Sequence, residues 1–382
     1  MPPIGAHIQI KGGLAKGGLP YTDAVGATTL YGIDADNRVR QEIDALGRIT
    51  RIDYNDSRQP MVLTGADGLS TRLHYNAFGD VERIVGPDGA ATEVSYAGPG
   101  RPDRIVEPGP VITRIAYTDS GSPLTVTDNA GAVTSYTYDE NGALTSLTDP
   151  DGVMVRYRNN AAGLPTEIVD MLGNTTRIRY DAFGRPVEVV DAEGARTTVG
   201  YDAMGNRTSL VAPDRGQSRW EYDGEGNCAA YVDPVGATTR WEYGHYDLPV
   251  ARIDADGSRT AFTYDTARRL VAVTNPDGLV WSYSYNPDGS LQSEIDFNNA
   301  TTTYTYDAGG RLATRTNAAG QTVAFEYDAA GRVVAERSSD PVNPGFDGEV
   351  TEYSYDFAGR PESVNGAFGR WHATYTAAGM PL

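Results

Sequence analysis

The side chains that could do acid–base, metal or nucleophilic chemistry in this 382-residue chain are four histidines, one cysteine and 51 carboxylates. His7, His74, His245 and His372 stand far apart, with no second ligand at the spacing a metal requires, so strand or surface positions account for them. Cys228 is the only cysteine, so no internal disulfide can form. Its place just after a predicted turn suits a small packed side chain better than a nucleophile. No Gly-x-Ser-x-Gly elbow and no Gly-rich phosphate loop opening a helix is present. Many of the aspartates recur as Asp-x-x-Gly, but the nonapeptide calcium signature is missing, and Asp in that setting serves a turn without any ion. No catalytic, cofactor-binding or metal-binding residue is therefore assigned, and a non-enzymatic role is expected.

The elements that carry these aspartates repeat. A tyrosine returns every 21 residues at Tyr54, Tyr75, Tyr96, Tyr117 and Tyr138, Asn159 takes the next slot, and the series resumes at Tyr180, Tyr201, Tyr222, Tyr243, Tyr264, Tyr285, Tyr306 and Tyr327. Ile33 fills the slot upstream, and Tyr355 and Tyr375 continue it after one insertion. A register held over so many steps means one supersecondary unit, stacked so that neighbours bury each other's apolar faces.

Within the unit that starts at Tyr180, two turn signatures stand about ten residues apart: Asp181-Ala-Phe-Gly184 and Asp191-Ala-Glu-Gly194. Asp at the first position of a type I turn accepts backbone hydrogen bonds, and Gly at the fourth supplies the positive φ of a three-residue hairpin loop with a bulge. Gly79, Gly142, Gly184, Gly205, Gly226, Gly310, Gly331 and Gly359 are such first-turn glycines. Asn37, Arg58, Asp247 and Arg268 replace Gly in four first turns. Asn and Asp tolerate a left-handed backbone, but Arg does so at greater cost, so the two Arg turns are expected to differ locally. Second turns such as Asp149-Pro-Asp-Gly152 and Asp233-Pro-Val-Gly236 place Pro where its fixed φ already fits.

Between turns lie segments of about five to seven residues rich in Val, Ile, Thr and Tyr, alternating apolar with polar, which read as strands. A second large side chain precedes the anchor by two: Tyr157, Trp220, Trp241, Phe262, Tyr283, Tyr304, Phe325, Tyr353. Period two puts both on one face. This predicts an aromatic ladder on one face and Thr, Arg and Glu on the other. Where Asn159 replaces the anchor, Tyr157 should be buried and Asn159 should find a hydrogen-bond partner. The expected fold is all-β: tandem 21-residue β-hairpin repeats forming one long curled or spiralling antiparallel sheet. Residues 31–382 form the repeat region, with about sixteen repeats and an enlarged loop at 338–349, after an N-terminal cap or irregular segment at 1–30. A propeller with 42-residue blades is the architectural alternative, although no alternation with that period is seen.

A net charge of −19 argues against nucleic-acid partners, which need a basic face, and against an anionic membrane surface. No apolar run reaches transmembrane length, and the first twenty residues lack the apolar core of a Sec-type signal.

The pattern Tyr-Asp-x-x-Gly-Arg followed by Asp-x-x-Gly resembles the YD repeats of the Rhs family. The nearest copies are Tyr180-Asp-Ala-Phe-Gly-Arg-Pro, Tyr306-Asp-Ala-Gly-Gly-Arg-Leu, Tyr327-Asp-Ala-Ala-Gly-Arg-Val and Tyr355-Asp-Phe-Ala-Gly-Arg-Pro, and the resemblance runs from residue 33 to residue 380. Bacterial Rhs proteins, insecticidal toxin-complex C components and teneurins share such repeats. The resemblance implies a sheet that spirals into a hollow shell, enclosing in the bacterial members a C-terminal toxin that is cleaved but retained. It implies an enclosed toxin or effector domain as partner, with immunity or secretion-system proteins, no nucleic acid and no membrane insertion. It also implies secretion or cell-surface delivery from a bacterium, with a cytoplasmic stage before export. The self-cleaving Rhs core is not recognisable here, and the stop at Met380-Pro-Leu in mid-repeat suggests a fragment or a truncated gene. The alternative is a binding module for a cell-surface glycan or protein, which exposed Trp220, Trp241 and Trp281 would favour and full burial of all three would exclude.

Overall fold

The repeat unit is a β-hairpin, and hairpins follow one another without a break in kind. The computed structural model describes residues 18–109, 111–342, 348–367 and 369–376. In it, 34 strands belong to one sheet, and the only other element among the described residues is a three-residue 3-10 turn at His245–Asp247. Strands pair antiparallel with their sequence neighbours, as Thr175–Tyr180 does with Pro186–Val190 and that strand with Arg196–Tyr201. A propeller would have broken this meander into separate sheets. Leu19–Thr22 and Thr28–Ile33 already form a pair, so regular structure starts well before residue 31. The strand Val333–Ser339 also runs into the segment read as an enlarged loop. His7, the centre of that loop and the Met380-Pro-Leu end lie outside the described residues.

Each hairpin is closed by hydrogen bonds that its sequence dictates. In the first turn of the Tyr180 unit, the Gly184 N–H donates to the Asp181 carbonyl at 3.1 Å and the Asp181 N–H to the Arg185 carbonyl at 2.9 Å. The Asp181 carboxylate then accepts the N–H groups of Phe183 and Arg185 at 2.9 and 3.0 Å. Gly184 has φ 79° and Gly194 has φ 84°. Arg58 and Arg268 do not alter their turns. They take φ 68° and 66° and keep the same backbone bonds, because the surrounding ladder over-determines the loop. The turn that departs is the one at Asp247, where Tyr246 and Asp247 are both left-handed, at φ 63° and 57°. A second departure follows Tyr96, which sits inside the longer strand Ala91–Gly98 rather than at its end.

The two faces differ as the alternation requires. One carries cross-strand pairs such as Glu167 with Arg158 and Arg177, Glu188 with Arg179 and Arg196, and Thr305 with Thr314. The other carries the anchors and their companions, but it is not purely aromatic. Tyr283 lies opposite Glu294, Tyr304 opposite Arg315, Phe325 opposite Glu336 and Trp241 opposite Arg252. The reason is the polar tip of Tyr and Trp, which needs a partner once its ring is half-buried. Glu294 accepts from the Tyr304 hydroxyl at 2.7 Å and from Trp281 Nε1 at 3.2 Å. Tyr353 likewise donates to Glu336 at 3.0 Å.

No second layer covers this face among the described residues. The buried apolar residues are Ile43, Ala230, Ala251, Ala335 and Ala373, and no large side chain is fully buried. The chain divides into two compact units, one of Met1–Glu93, Tyr264–Val271 and Trp281–His372, the other of Val94–Thr263, Ala272–Val280 and Ala373–Leu382.

The turns supply a test that is independent of packing, since nothing lies within 4 Å of a Cβ placed on Gly194. Gly194→Ala should cost about 1 kcal/mol through its left-handed backbone alone. Arg58→Gly should gain about 0.5–1 kcal/mol, less than the full relief of strain because glycine loosens the unfolded chain. Urea unfolding of both variants reads the opposite signs.

Candidate functional site: the tyrosine file and the turn seam

The anchor tyrosine closes each strand at the point where the ladder shifts register. Arg179 pairs with Glu188 but Tyr180 pairs with Pro186, which leaves Val187 as an extra residue on the second strand. Pro, without an N–H, is tolerated at such an interruption. Its carbonyl is taken by the next unit: the Tyr201 hydroxyl donates to the Pro186 carbonyl at 3.1 Å. The same bond, 15 residues back, joins Tyr54 to Val39, Tyr75 to Pro60, Tyr117 to Pro102, Tyr138 to Pro123 and Tyr180 to Pro165. It continues with Tyr222 on Arg207, Tyr243 on Cys228, Tyr285 on Leu270, Tyr306 on Leu291 and Tyr327 on Leu312. Tyr355 keeps it across the insertion, reaching Val333 at 2.8 Å and 22 residues. Tyr264 ends its strand in the same way as the others.

Asn159 obeys the rule without a ring. Its side-chain amide donates to the Leu144 carbonyl at 2.8 Å, the bond a tyrosine hydroxyl makes elsewhere. Tyr157 beside it is half-buried, not buried, because no second layer lies over that face.

A second file runs through the arginine that follows the first turn, a role the sequence reading did not assign. Arg185 Nε donates to the Asp181 carboxylate at 2.7 Å while its guanidinium lies 4.7 Å from the Tyr201 ring of the next unit. Asp265–Arg269–Tyr285, Asp307–Arg311–Tyr327 and Asp328–Arg332–Tyr355 repeat this arrangement. Its signal is the Gly-Arg in Tyr-Asp-x-x-Gly-Arg, legible once the hairpin places Arg over the neighbouring ring. Burial works to raise the Asp181 carboxyl, but the Arg185 N–H and guanidinium outweigh it and hold it below the ordinary carboxylate value.

Turns of sequence-distant units meet within the first compact unit. The Thr266 hydroxyl donates to the Ala24 carbonyl at 2.7 Å across 242 residues, and Arg48 reaches Asp288 at 2.5 Å across 240. Arg311 approaches Asp67 at 3.5 Å. Each contact sets a first turn against a second turn. The Asp288 side chain is only 6% exposed. Burial tends to raise its pKa, yet hydrogen bonds from Ser290 and the Arg48 charge bring it below the usual range. A Cβ on Gly309 would come within 2.9 Å of the Asp67 carboxylate, so the seam closes only over small residues there.

The sequence candidates for chemistry stay apart. His74 is exposed on the polar face opposite Arg83, His245 lies in its turn and His372 is exposed on a terminal strand. Cys228 occupies the slot that Pro fills elsewhere, its carbonyl accepting from the Tyr243 hydroxyl, and burial pushes its thiol up, away from nucleophilic character. No group of three or more potential metal ligands exists among the described residues. Trp220, Trp241 and Trp281 are all half-buried. Trp220 is covered by Arg207 at 3.9 Å and Tyr231 at 5.2 Å, and Trp281 by the Phe297 edge at 5.3 Å.

Two outcomes follow from these files. Tyr180→Phe removes only the hydroxyl that holds the Pro165 carbonyl and should cost about 1 kcal/mol in urea unfolding, with the strand pairing intact. Against pH, the carboxylates of Asp181, Asp202, Asp265 and Asp307 titrate below the ordinary 3.8 in the folded state, and Asp34 titrates at about 2, chiefly through the Arg38 N–H. The unfolded chain protonates first, so their contribution is complete above about pH 4 and is lost as pH falls towards 2. Burial and the hydrogen bond to Glu294 push Tyr304 up to about 12 from 10.0. Its contribution is complete below about pH 10 and is lost as pH rises to 12. Thermal melts should therefore decline at both ends, each within its own window.

Comparison with known proteins places this geometry. The model of the teneurin YD-shell matches residues 166–356 and that of the RHS repeat matches residues 117–154. Curated proteins give no match to the sequence. Among solved structures, the TcdB2-TccC3-TEV crystal structure is similar with a TM-score of 0.57 at 14% identity, over 92% of this chain and 26% of that one. The Photorhabdus luminescens Tc holotoxin pore gives the same values, and TcdB2-TccC3-Cdc42 gives a TM-score of 0.57 at 15% identity over 92% and 26%. The chain thus spans about a quarter of those chains, and at such identity they share its fold. With half its length matched by the family model, and with the hairpin, the bulge and the tyrosine file present in unit after unit, the chain belongs to the teneurin YD-shell family.

Proposed function

We propose that this chain is a structural segment of the shell of an Rhs-type polymorphic toxin, which encloses or presents an effector domain. The observation that carries the reading is the uncovered tyrosine face. Among the described residues, a sheet of 34 strands with no fully buried large side chain has not used that face to build a core of its own. A domain-sized occupant would complete its burial, since apolar area removed from water is the main favourable term available. Half-buried rings with polar tips suit such a wall, because they can meet a polypeptide surface without fusing to it as a core would.

On this reading the chain is a container and not an enzyme. Its partners are the effector and the immunity or secretion-system proteins that handle it. The protein is made in the cytoplasm of a bacterium and then secreted or delivered to a cell surface. No helix among the described residues is long and apolar enough to cross a membrane.

Limited proteolysis of the protein as its cell makes it tests the proposal. An enclosed domain should survive about tenfold longer beside the repeats than when expressed alone, since cleavage follows the accessible population. Equal digestion rates, or a product with no domain besides the repeats, would overturn it.

A further inference from the structure

Charge is not spread evenly over this molecule. From Val111 to Tyr180, inside the second compact unit, the chain carries eight carboxylates and five arginines. Seven of the carboxylates stand in turns, where Asp128, Asp139, Asp149 and Asp170 are engaged with backbone N–H groups. Only Glu167 lies in a strand. The five arginines, Arg114, Arg156, Arg158, Arg177 and Arg179, all lie in strands, one or three residues before an anchor slot, and period two puts them on the polar face. The stretch is acidic in sum and basic across its face.

The slot three residues before the anchor forms a row across the sheet. Between residues 114 and 240 it holds Arg114, Arg156, Arg177, Arg219 and Arg240, with Ser135 and Thr198 at the two remaining places and no carboxylate. Neighbours in the row are two strands apart, about 9.6 Å. Arg114 also faces Arg104 directly across its strand pair. Both are exposed, and neither they nor Arg156, set between Ser146 and Val169, make an ion pair among the described residues. Like charges directly opposite repel. The carboxylate beside them, Asp103, is taken by the Ser95 hydroxyl at 2.7 Å. Between Arg114 and Arg156 the face carries hydroxyls: Thr125 lies opposite Ser135, and Thr137 bonds Thr145 and Ser146 at 2.8 and 2.7 Å.

We infer that this face, from Arg104 to Arg179, binds a linear anionic glycan laid across the strands, its carboxylate or sulfate groups on the arginines and its hydroxyls on the serines and threonines between them. Arg104 and Arg114 hold one anionic group together, which offsets their mutual repulsion. The turn carboxylates stand about 10 Å from the row, three residues along each strand. The Debye length at physiological ionic strength is about 8 Å, so the arginines dominate what a ligand on the row meets, despite the net charge of −19. The same flanking carboxylates select a thin ligand, since an anionic membrane plane would lie over both acidic edges. Single-stranded nucleic acid needs rings to stack on, and the tyrosines of these strands belong to the other face. The surface is therefore independent of what the tyrosine face encloses.

Calorimetric titration of the whole chain at about 0.15 M salt tests this with a heparin oligosaccharide, which supplies sulfates, and an oligogalacturonate, which supplies carboxylates. At least one should bind with a Kd of about 10–100 μM. Arg104→Ser with Arg114→Ser should weaken that binding about tenfold yet unfold at no lower urea concentration, because a like-charge pair is removed. Arg58→Gly with Arg215→Gly takes the same charge from exposed turns and should leave the affinity unchanged. Failure of both glycans to bind would overturn the inference. So would a face variant that binds like the unaltered chain, or a turn variant weakened as much as the face variant. Oligoglutamate, single-stranded DNA or anionic vesicles binding as tightly as the better glycan would overturn the choice of occupant.

Discussion

The interruption of the ladder at the anchor tyrosine is the constraint on which the rest depends. After the first turn of a unit an extra residue stands on the second strand before regular pairing resumes, and that displaces one carbonyl per unit, whereas the second turns, closed by the same loop bonds, carry no such shift. The hydroxyl of the next tyrosine takes up the displaced carbonyl. Donor and acceptor lie 15 residues apart and in different hairpins, so the bond ties each unit to its neighbour at the 21-residue step. A single residue inserted within a strand would turn the donor away from the carbonyl, because successive side chains point to opposite faces. Where seven residues are inserted, the strand lengthens and Tyr355 still finds Val333, so the bond is conserved at the expense of the spacing.

The Asp–Arg–Tyr file shows the same economy. One aspartate shapes its loop through two backbone N–H groups and holds an arginine, and the arginine stacks on the next unit's ring. Exposed ion pairs contribute little singly. Here the pair's value lies in orienting a guanidinium over a half-buried ring, where cation–π attraction of about 0.5–1 kcal/mol adds at each of several joints. Stability in such a chain is a sum of unit and neighbour terms, so many small joints replace the large core that a sandwich would have built.

What the sheet leaves undone is informative for function. Its aromatic face carries Glu294, Glu336 and Arg252 among the rings, and its rings are half-buried. These features make a wall with a polar grain and not an interior. The toxin-complex structures that share the fold contain much longer chains, of which this one spans about a quarter.

Most of the local structure was legible in the residues, because it is governed by contacts within 21 positions. Hairpin closure followed from Asp and Gly three apart, the faces followed from period two, and the hydrogen bond of Asn159 followed from its slot. Tyr157 is half-buried because burial depends on a layer that no local pattern reports. The turns at Arg58 and Arg268 keep the common geometry for a related reason: propensity is a local energy, and a ladder on both sides overrides it. The charged residues on the aromatic face are not written in one strand's alternation, because the need of Tyr304 and Trp281 for an acceptor arises only once strands lie side by side. The seam was wholly out of reach, since Arg48 and Asp288 are ordinary turn residues until 240 intervening residues bring them together. The sequence by itself determined the unit and its stacking, through short-range hydrogen bonds. Only the tertiary structure decided which edges meet, because that depends on twist accumulated over many strands and is written in no single repeat.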